Sequence, residues 1–145
     1  MELMFGKRVR SASRRLGYLA GVEVDVPSRR VTKIIFSQDG RLGSQAQTRS
    51  IEAVRLEGGQ LVVGEPSTSA VAMAQPLLLS RSVRLTRGGQ TRGHVAGVVV
   101  NEQGVLETLI GRQHWWQGRS RTAASALDLS QPGEIRIGAA AGRAA

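Results

Sequence analysis

Apolar residues recur at every second position in several short stretches of the chain. In the clearest stretch, Val22, Val24 and Val26 alternate with Glu23 and Asp25. A period of two is typical of a β-strand with one buried face. The stretches are separated by Asp-Gly, Gly-Gly and Pro-Gly pairs, which mark tight turns. The pattern predicts an all-β fold.

The chain carries the same strand pattern twice. Residues 16–25 resemble residues 92–101, because in each segment two glycines frame an apolar strand that ends in Asp or Asn. Further matches follow in the same order along the chain: Val9 with Val83, 31–36 with 105–110, 53–56 with 126–129, and 61–64 with 135–138. Matches that keep one order over this span indicate an internal duplication.

The duplication divides the chain into two repeats. The first repeat is predicted over residues 1–64 and the second over 77–138, with a linker at 65–76 and a tail at 139–145. A β-barrel of about 60 residues buries a low fraction of its surface and is marginal alone. We therefore expect the repeats to pack against each other or to exchange strands in one pseudo-twofold unit. The sequence leaves open whether the barrels are separate or share a core.

The chain of 145 residues has a formal net charge of +9, divided almost evenly between the repeats. A positive field of this size attracts polyanions such as RNA, although an even distribution is also typical of a solvated surface. The sequence has no cysteine, which excludes disulfides and thiolate sites and is compatible with the cytosol. Its apolar runs are far shorter than the roughly 20 residues of a membrane-spanning helix. We expect no transmembrane segment and a cytoplasmic location.

The sequence lacks the common catalytic and metal-binding patterns. His94 holds the strand position that Tyr18 holds in the first repeat, which indicates a wall position rather than a ligand. His114 has no second histidine or carboxylate at a spacing that would bind zinc. Asp25 and Asn101 end matched strands, where each side chain is expected to accept a turn N–H. We expect a protein that is not an enzyme, with no catalytic residue, cofactor or metal ion.

The order of the segments resembles that of the PRC-barrel superfamily of small β-barrels. The matching features are an opening Gly-Lys-x-Val strand, a Leu-Gly pair before a strand that ends in Asp, an apolar strand, an Ile-x-x-Val segment and a final hairpin. The matching positions are Gly6, Lys7, Val9, Leu16, Gly17, Val22, Val24, Asp25, 34–36, Ile51, Val54 and 61–63, with a weaker second match from Val83 through Ile137. The resemblance implies two tandem small PRC-like β-barrels related by an internal pseudo-twofold duplication. It also implies an adaptor that docks on a larger protein or ribonucleoprotein.

One loop differs strongly between the repeats. Residues 112–121 replace the polar loop at 38–47 and contain both tryptophans of the chain among three arginines. Tryptophan and arginine are enriched at binding hot spots, and both can stack on nucleic-acid bases. A tryptophan could instead close the barrel end or pack between the repeats. The candidate partner-binding residues are Arg112, His114, Trp115, Trp116, Arg119 and Arg121.

Together these patterns predict a non-enzymatic adaptor or scaffold that docks on another protein or complex, which could be membrane-associated, through the loop at 112–121. The alternative is an RNA-binding or ribosome-associated factor, favoured by the charge and by the resemblance to the PRC-barrel ribosome maturation factor. The two functions differ in salt dependence, because arginines that contact phosphates release counterions. The sequence leaves the identity of the partner and the oligomeric state open.

Overall fold

The computed structural model describes residues 1–43, 45–65, 75–114 and 118–138, and nearly all of its regular structure is β. A single 3-10 turn stands at Ile51–Ala53 and another at Ala124–Ala126. The strands are β1 (Glu2–Met4), β2 (Arg8–Arg10), β3 (Arg15–Asp25), β4 (Arg30–Ser37), β5 (Gln47–Ser50), β6 (Val54–Glu57), β7 (Gln60–Val63), β8 (Pro76–Ser80), β9 (Arg84–Arg87), β10 (Gln90–Val100), β11 (Leu106–Arg112), β12 (Ser120–Ala123), β13 (Leu127–Gln131) and β14 (Glu134–Ile137). The all-β prediction is confirmed.

The strands form two curled sheets of seven strands with the same order. One sheet runs β5-β4-β3-β2-β7-β6 and carries β8 beside β3. The other runs β12-β11-β10-β9-β14-β13 and carries β1 beside β10. In both sheets the last hairpin returns to pair in parallel with the opening strand, β7 with β2 and β14 with β9. This matched topology confirms the two barrel-like units expected from the duplication.

Each unit receives one strand from the other half of the chain. Strand β1, at the start of the first repeat, pairs antiparallel with β10, and Leu3 lies opposite Val98. Strand β8, at the start of the second repeat, pairs with β3 in the same way, and Leu79 lies opposite Val22. Of the two arrangements expected from the sequence, the structure therefore has strand exchange about a pseudo-twofold axis.

The second glycine of each repeated segment is explained by this exchange. Gly21 lies against β8, where a Cβ atom would stand 2.7 Å from the carbonyl oxygen of Leu79. Gly97 lies against β1, where a Cβ atom would stand 2.7 Å from the carbonyl oxygen of Leu3. A close backbone approach of this kind requires glycine. The repeated glycine is thus the sequence feature that admits the exchanged strand.

The strand register corrects two of the sequence matches. The first concerns Val9, which faces Gly17, whereas Leu85 faces the equivalent Gly93. Val9 therefore corresponds to Leu85 rather than to Val83. Val83 and Leu85 are both buried, and an alternating pattern does not distinguish positions two residues apart on one strand face.

The second correction is a shift of one residue in the next strand. Ile34 faces Val22, and Leu109 faces the equivalent Val98, so Ile34 corresponds to Leu109 rather than to Thr108. The cause is the length of the connection, because 11 residues lie between Val22 and its partner Ile34 whereas 10 lie between Val98 and its partner Leu109. A one-residue slip would turn every side chain to the other face of the sheet.

Buried side chains from both halves form one continuous apolar cluster. It joins Phe36 and Leu61 of the first sheet to Leu109 and Ile135 of the second, and the exchanged Leu3 is fully buried within it. Each such side chain contributes about 1.5–3 kcal/mol by leaving water. The two units therefore share a core rather than each forming its own.

The turns that follow β3 and β10 meet at the pseudo-twofold axis. The backbone N–H of Val31 donates to the carbonyl oxygen of Gly104 at 2.8 Å, and the N–H of Leu106 donates to the carbonyl oxygen of Arg29 at 2.7 Å. These two hydrogen bonds are reciprocal, since each links the start of one strand to the turn of the other copy. Arg29 and Gly104 are therefore equivalent positions.

Candidate functional site

A cavity of about 410 Å³ lies where the second unit's long hairpin meets the end of β1. We call it the cationic cavity, because it is lined by three arginines and two histidines: Arg81, His94, Arg112, His114 and Arg119. Met4, Phe5 and Val95 give it an apolar side. None of the described residues that line it carries a carboxylate. The cavity therefore combines positive charge with apolar surface.

The hairpin of β10 and β11 positions the central basic pair. His94 and Arg112 lie directly opposite each other on the two strands. The residue before His94 is Gly93, which has a φ of 132° and lies close to the backbone where β11 ends. A Cβ atom at Gly93 would stand 2.7 Å from the carbonyl oxygen of Arg112. Glycine is therefore required for the chain to leave β11 toward the cavity in this direction.

Strand exchange brings the remaining wall to the cavity. The N–H of Phe5 donates to the carbonyl oxygen of Ala96 at 3.0 Å, which fixes the end of β1 against β10. Arg81 follows β8, and its Nη2 atom donates to the carbonyl oxygen of Phe5 at 2.6 Å. Residues that are far apart in sequence thus meet only because both exchanged strands end here.

One donor in the cavity wall is unsatisfied. The Nε atom of Arg112 is buried and has no hydrogen-bond partner among the described residues. Leaving a buried polar group unpaired costs about 1–3 kcal/mol, and more for a charged one. Buried donors are normally paired, so the unpaired Nε atom of Arg112 is an exception among the described residues.

The same place in the first copy has a different chemistry. Strand register and position relative to the strand ends match four of the cavity's basic residues with neutral or acidic residues of the first copy. The pairs, with the second copy given first, are His94 and Tyr18, Arg112 and Ser37, His114 and Asp39, and Arg119 and Ala46. All four differences make the second copy more basic. The concentration of basic residues around the cavity is therefore a property of the second copy and not of the shared fold.

In the first copy, the equivalent turn is closed by its own hydrogen bonds. The carboxylate of Asp39 accepts from the hydroxyl of Ser37 and from the N–H of Arg41, each at 3.0 Å. The bond from Arg41, followed by that from Ser37, lowers the pKa of Asp39 below its usual value. This turn satisfies its polar groups locally, whereas the turn after β11 presents basic groups to a cavity.

The structure brings together three of the six residues that the sequence analysis selected. Arg112, His114 and Arg119 line the cationic cavity. Arg121 lies apart from its lining and forms a half-exposed salt bridge with Glu2 at 3.2 Å. Trp115 and Trp116 lie outside the described residues.

Sequence reasoning missed the cavity residues contributed by other segments. His94 is a strand-wall residue, as expected, but it is exposed and lines the cavity. Arg81 and Met4 come from the exchanged strands or the turn after them, and no local pattern marks either as a site residue. The available signal was the difference between His94 and Tyr18 within the repeated segment.

The arrangement is suited to binding an anionic group. Guanidinium groups bind carboxylates and phosphates through paired, charge-assisted hydrogen bonds. Within the described ranges, no group of three or more His, Asp or Glu residues could hold a metal ion. The same ranges contain no helix that is long and apolar enough to cross a membrane.

Comparison with protein-family models finds no match to the chain, and comparison with curated proteins finds no significant similarity.

Proposed function

We propose that this protein is a non-enzymatic adaptor of the PRC-barrel type, and that it docks on another protein through the cationic cavity. The observation that carries the proposal is the difference between the copies. Four basic side chains stand where the first copy has neutral or acidic ones, and they converge on one cavity. We propose that the cavity takes an acidic segment of the partner in the cytoplasm.

The shape of the cavity favours a protein segment over a nucleic acid. A volume of about 410 Å³ suits one or two side chains. Its apolar side, formed by Met4 and Phe5, suits an aliphatic group next to a carboxylate. A groove for single-stranded nucleic acid normally follows the backbone over several nucleotides with a series of stacking aromatics. The described lining offers the phenyl ring of Phe5 and the imidazole rings of His94 and His114, which lie around one cavity rather than along a groove.

RNA binding is the second candidate, and the net charge of +9 favours it. Binding that depends on charge alone uses arginines over the whole surface and falls steeply with salt. The affinity for RNA should therefore fall with the number of arginines removed, whatever their position.

A matched pair of variants separates the two functions. Arg112→Ser with Arg119→Ala removes two positive charges from the cavity and introduces first-copy residues. Arg55→Ala with Arg136→Ala removes two positive charges from exposed strand positions that do not line it. Crosslinking in cell extract followed by mass spectrometry should show a protein partner retained by the second variant and lost by the first. Equal loss with both, or recovery of RNA alone, would contradict the docking proposal.

A further inference from the structure

Arg29 fills a site at the pseudo-twofold axis. Its backbone φ is 57°, an unusual value for a residue with a side chain. The guanidinium group crosses to the other copy, where Nη1 donates to the carbonyl oxygen of Ala124 and Nη2 donates to that of Leu127 at 2.7 Å. These two carbonyls belong to the second copy's 3-10 turn and to the first residue after it. The turn thus provides a two-acceptor site that fits a guanidinium fork.

The first copy has the same turn, but the position equivalent to Arg29 is not an arginine. Its 3-10 turn, Ile51–Ala53, ends as the other does, since the N–H of Val54 donates to the carbonyl oxygen of Ile51. The equivalent N–H of Leu127 donates to Ala124. The position equivalent to Arg29 is Gly104, which has a φ of 81°. The acceptor pair is therefore repeated while its donor is not.

A cavity of about 580 Å³ occupies the place where the second arginine would lie. It is lined on one side by Ile51 and Val54 and on the other by Gly104. A Cβ atom built on Gly104 would meet nothing closer than 3.9 Å, so a side chain could enter from this position.

The borders of this cavity also differ from those of the filled site. Glu52 and Glu102 both line it, and neither forms a salt bridge within the described part of the chain. The residue equivalent to Glu52 in the filled site is the neutral Ser125. Arg30 and the amino group of Met1 lie at the same cavity and offset this charge. Any selectivity of this cavity for a ligand must therefore come mainly from the geometry of the two carbonyl acceptors and not from net charge.

We propose that the cavity at Gly104 is a binding site for a guanidinium group, supplied by the arginine side chain of a bound protein segment. The carbonyls of Ile51 and Val54 accept its hydrogen bonds as those of Ala124 and Leu127 accept from Arg29. This inference rests on the equivalence of the two copies and is independent of the cationic cavity.

The test uses the full chain and small probes. N-methylguanidinium and methylammonium are titrated separately to millimolar concentration, and backbone amide signals are followed by NMR. We expect saturable shifts at Val54 and Gly104 with methylguanidinium, because an added hydrogen bond to Ile51 alters the Val54 N–H that shares its carbonyl. Equal shifts with methylammonium, or none with either probe, would overturn the proposal.

Two variants keep the test decisive. Gly104→Arg supplies an internal guanidinium at a position where Arg29 tolerates the same backbone region, and it should weaken probe binding at least about tenfold. Arg29→Gly opens the second site, and methylguanidinium should then raise the melting temperature of this variant more than that of the wild type. If Gly104→Arg leaves probe binding unchanged, or if Arg29→Gly shows no such rescue, the acceptor pair is not the site.

Measuring the oligomeric state shows whether a second copy of the chain or another protein supplies the arginine. If a second copy of the chain supplies it, the wild type should self-associate with increasing concentration and Gly104→Arg should remain monomeric. If another protein supplies it, both should be monomeric, and an arginine-containing peptide should bind the wild type more tightly than its lysine counterpart. A lysine peptide that binds equally well would contradict the proposal.

Discussion

The two copies of this fold share their strand order and differ in chemistry at two matched places. After β4, Ser37 and Asp39 close the turn through hydrogen bonds, whereas Arg112 and His114 face a cavity at the equivalent turn after β11. At the axis the difference is reversed, because the first copy supplies Arg29 and the second leaves a cavity at Gly104. The comparison shows that one duplicated backbone carries different side chains at the two cavities, and that the copies differ most where the cavities lie.

The largest expected effect comes from breaking what the copies share. Gly97→Ala places a methyl group against the backbone of β1, 2.7 Å from the carbonyl oxygen of Leu3. The substitution should lower the free energy of unfolding by about 3 kcal/mol, because overpacking of this kind forces the backbone of the exchanged strand to shift. Gly21→Ala should lower the free energy of unfolding by a similar amount, because β8 pairs with β3 in the same way. Urea denaturation followed by circular dichroism measures both.

Gly43→Ala is the control for these glycine variants. A Cβ atom at Gly43 would have no neighbour within 4 Å. A surface substitution of this kind should change the free energy of unfolding by about 0.5 kcal/mol or less. If Gly97→Ala were no more destabilising than Gly43→Ala, the exchanged strand would not be packed as described.

A smaller effect is expected from removing Arg29, whose side chain crosses the axis. Arg29→Ala deletes two hydrogen bonds from a charged donor to the carbonyls of Ala124 and Leu127. The unfolding free energy should fall by about 2 kcal/mol. Arg30→Ala removes a neighbouring exposed arginine and is the matched control. Equal urea midpoints for the two variants would show that Arg29 does not link the copies.

The fold was largely predictable because it depends on local patterns. Alternating valines around Glu23 predicted β3, and the paired glycines predicted the second copy of that strand. The choice between packed and exchanged repeats was not predictable, because Leu3 and Leu79 would fit a sheet edge in either repeat. The register of Val9 was misassigned since Val83 and Leu85 share one face.

The candidate site was predictable only where it lies within one loop. Arg112, His114 and Arg119 were selected because they stand beside two tryptophans in the segment that departs from the repeat. Arg81 reaches the cavity through its bond to Phe5, a contact that exists only after strand exchange. Arg121 lies apart from the cavity lining, and its salt bridge with Glu2 was not predictable because it depends on where β1 pairs.

The smallest expected effect concerns the acid dependence of the turns. The pKa of Asp39 is lowered by hydrogen bonds from Arg41 and Ser37, and that of Asp128 is lowered by the hydroxyl and N–H of Ser130. A carboxylate with a lowered folded pKa stabilises the protein above its unfolded pKa of about 4, and this contribution is lost as the pH falls through the folded pKa.

Asp39→Asn and Asp128→Asn should therefore each flatten the fall in urea midpoint below about pH 4. Because both side chains are exposed, each change should be smaller than that of Arg29→Ala. A fall in midpoint that remains as steep in the double variant as in the wild type would contradict this assignment.

The most direct test of the central claim measures binding of a labelled glutamate-rich peptide by fluorescence anisotropy. We predict that Arg112→Ser with Arg119→Ala, which introduces the first-copy residues, weakens binding at least about tenfold through lost charge-assisted hydrogen bonds. The charge-matched control, Arg55→Ala with Arg136→Ala, should weaken it less than about twofold, because exposed charges are screened by salt. Equal weakening by the two variants would contradict the claim that the cavity of the second copy is the docking site.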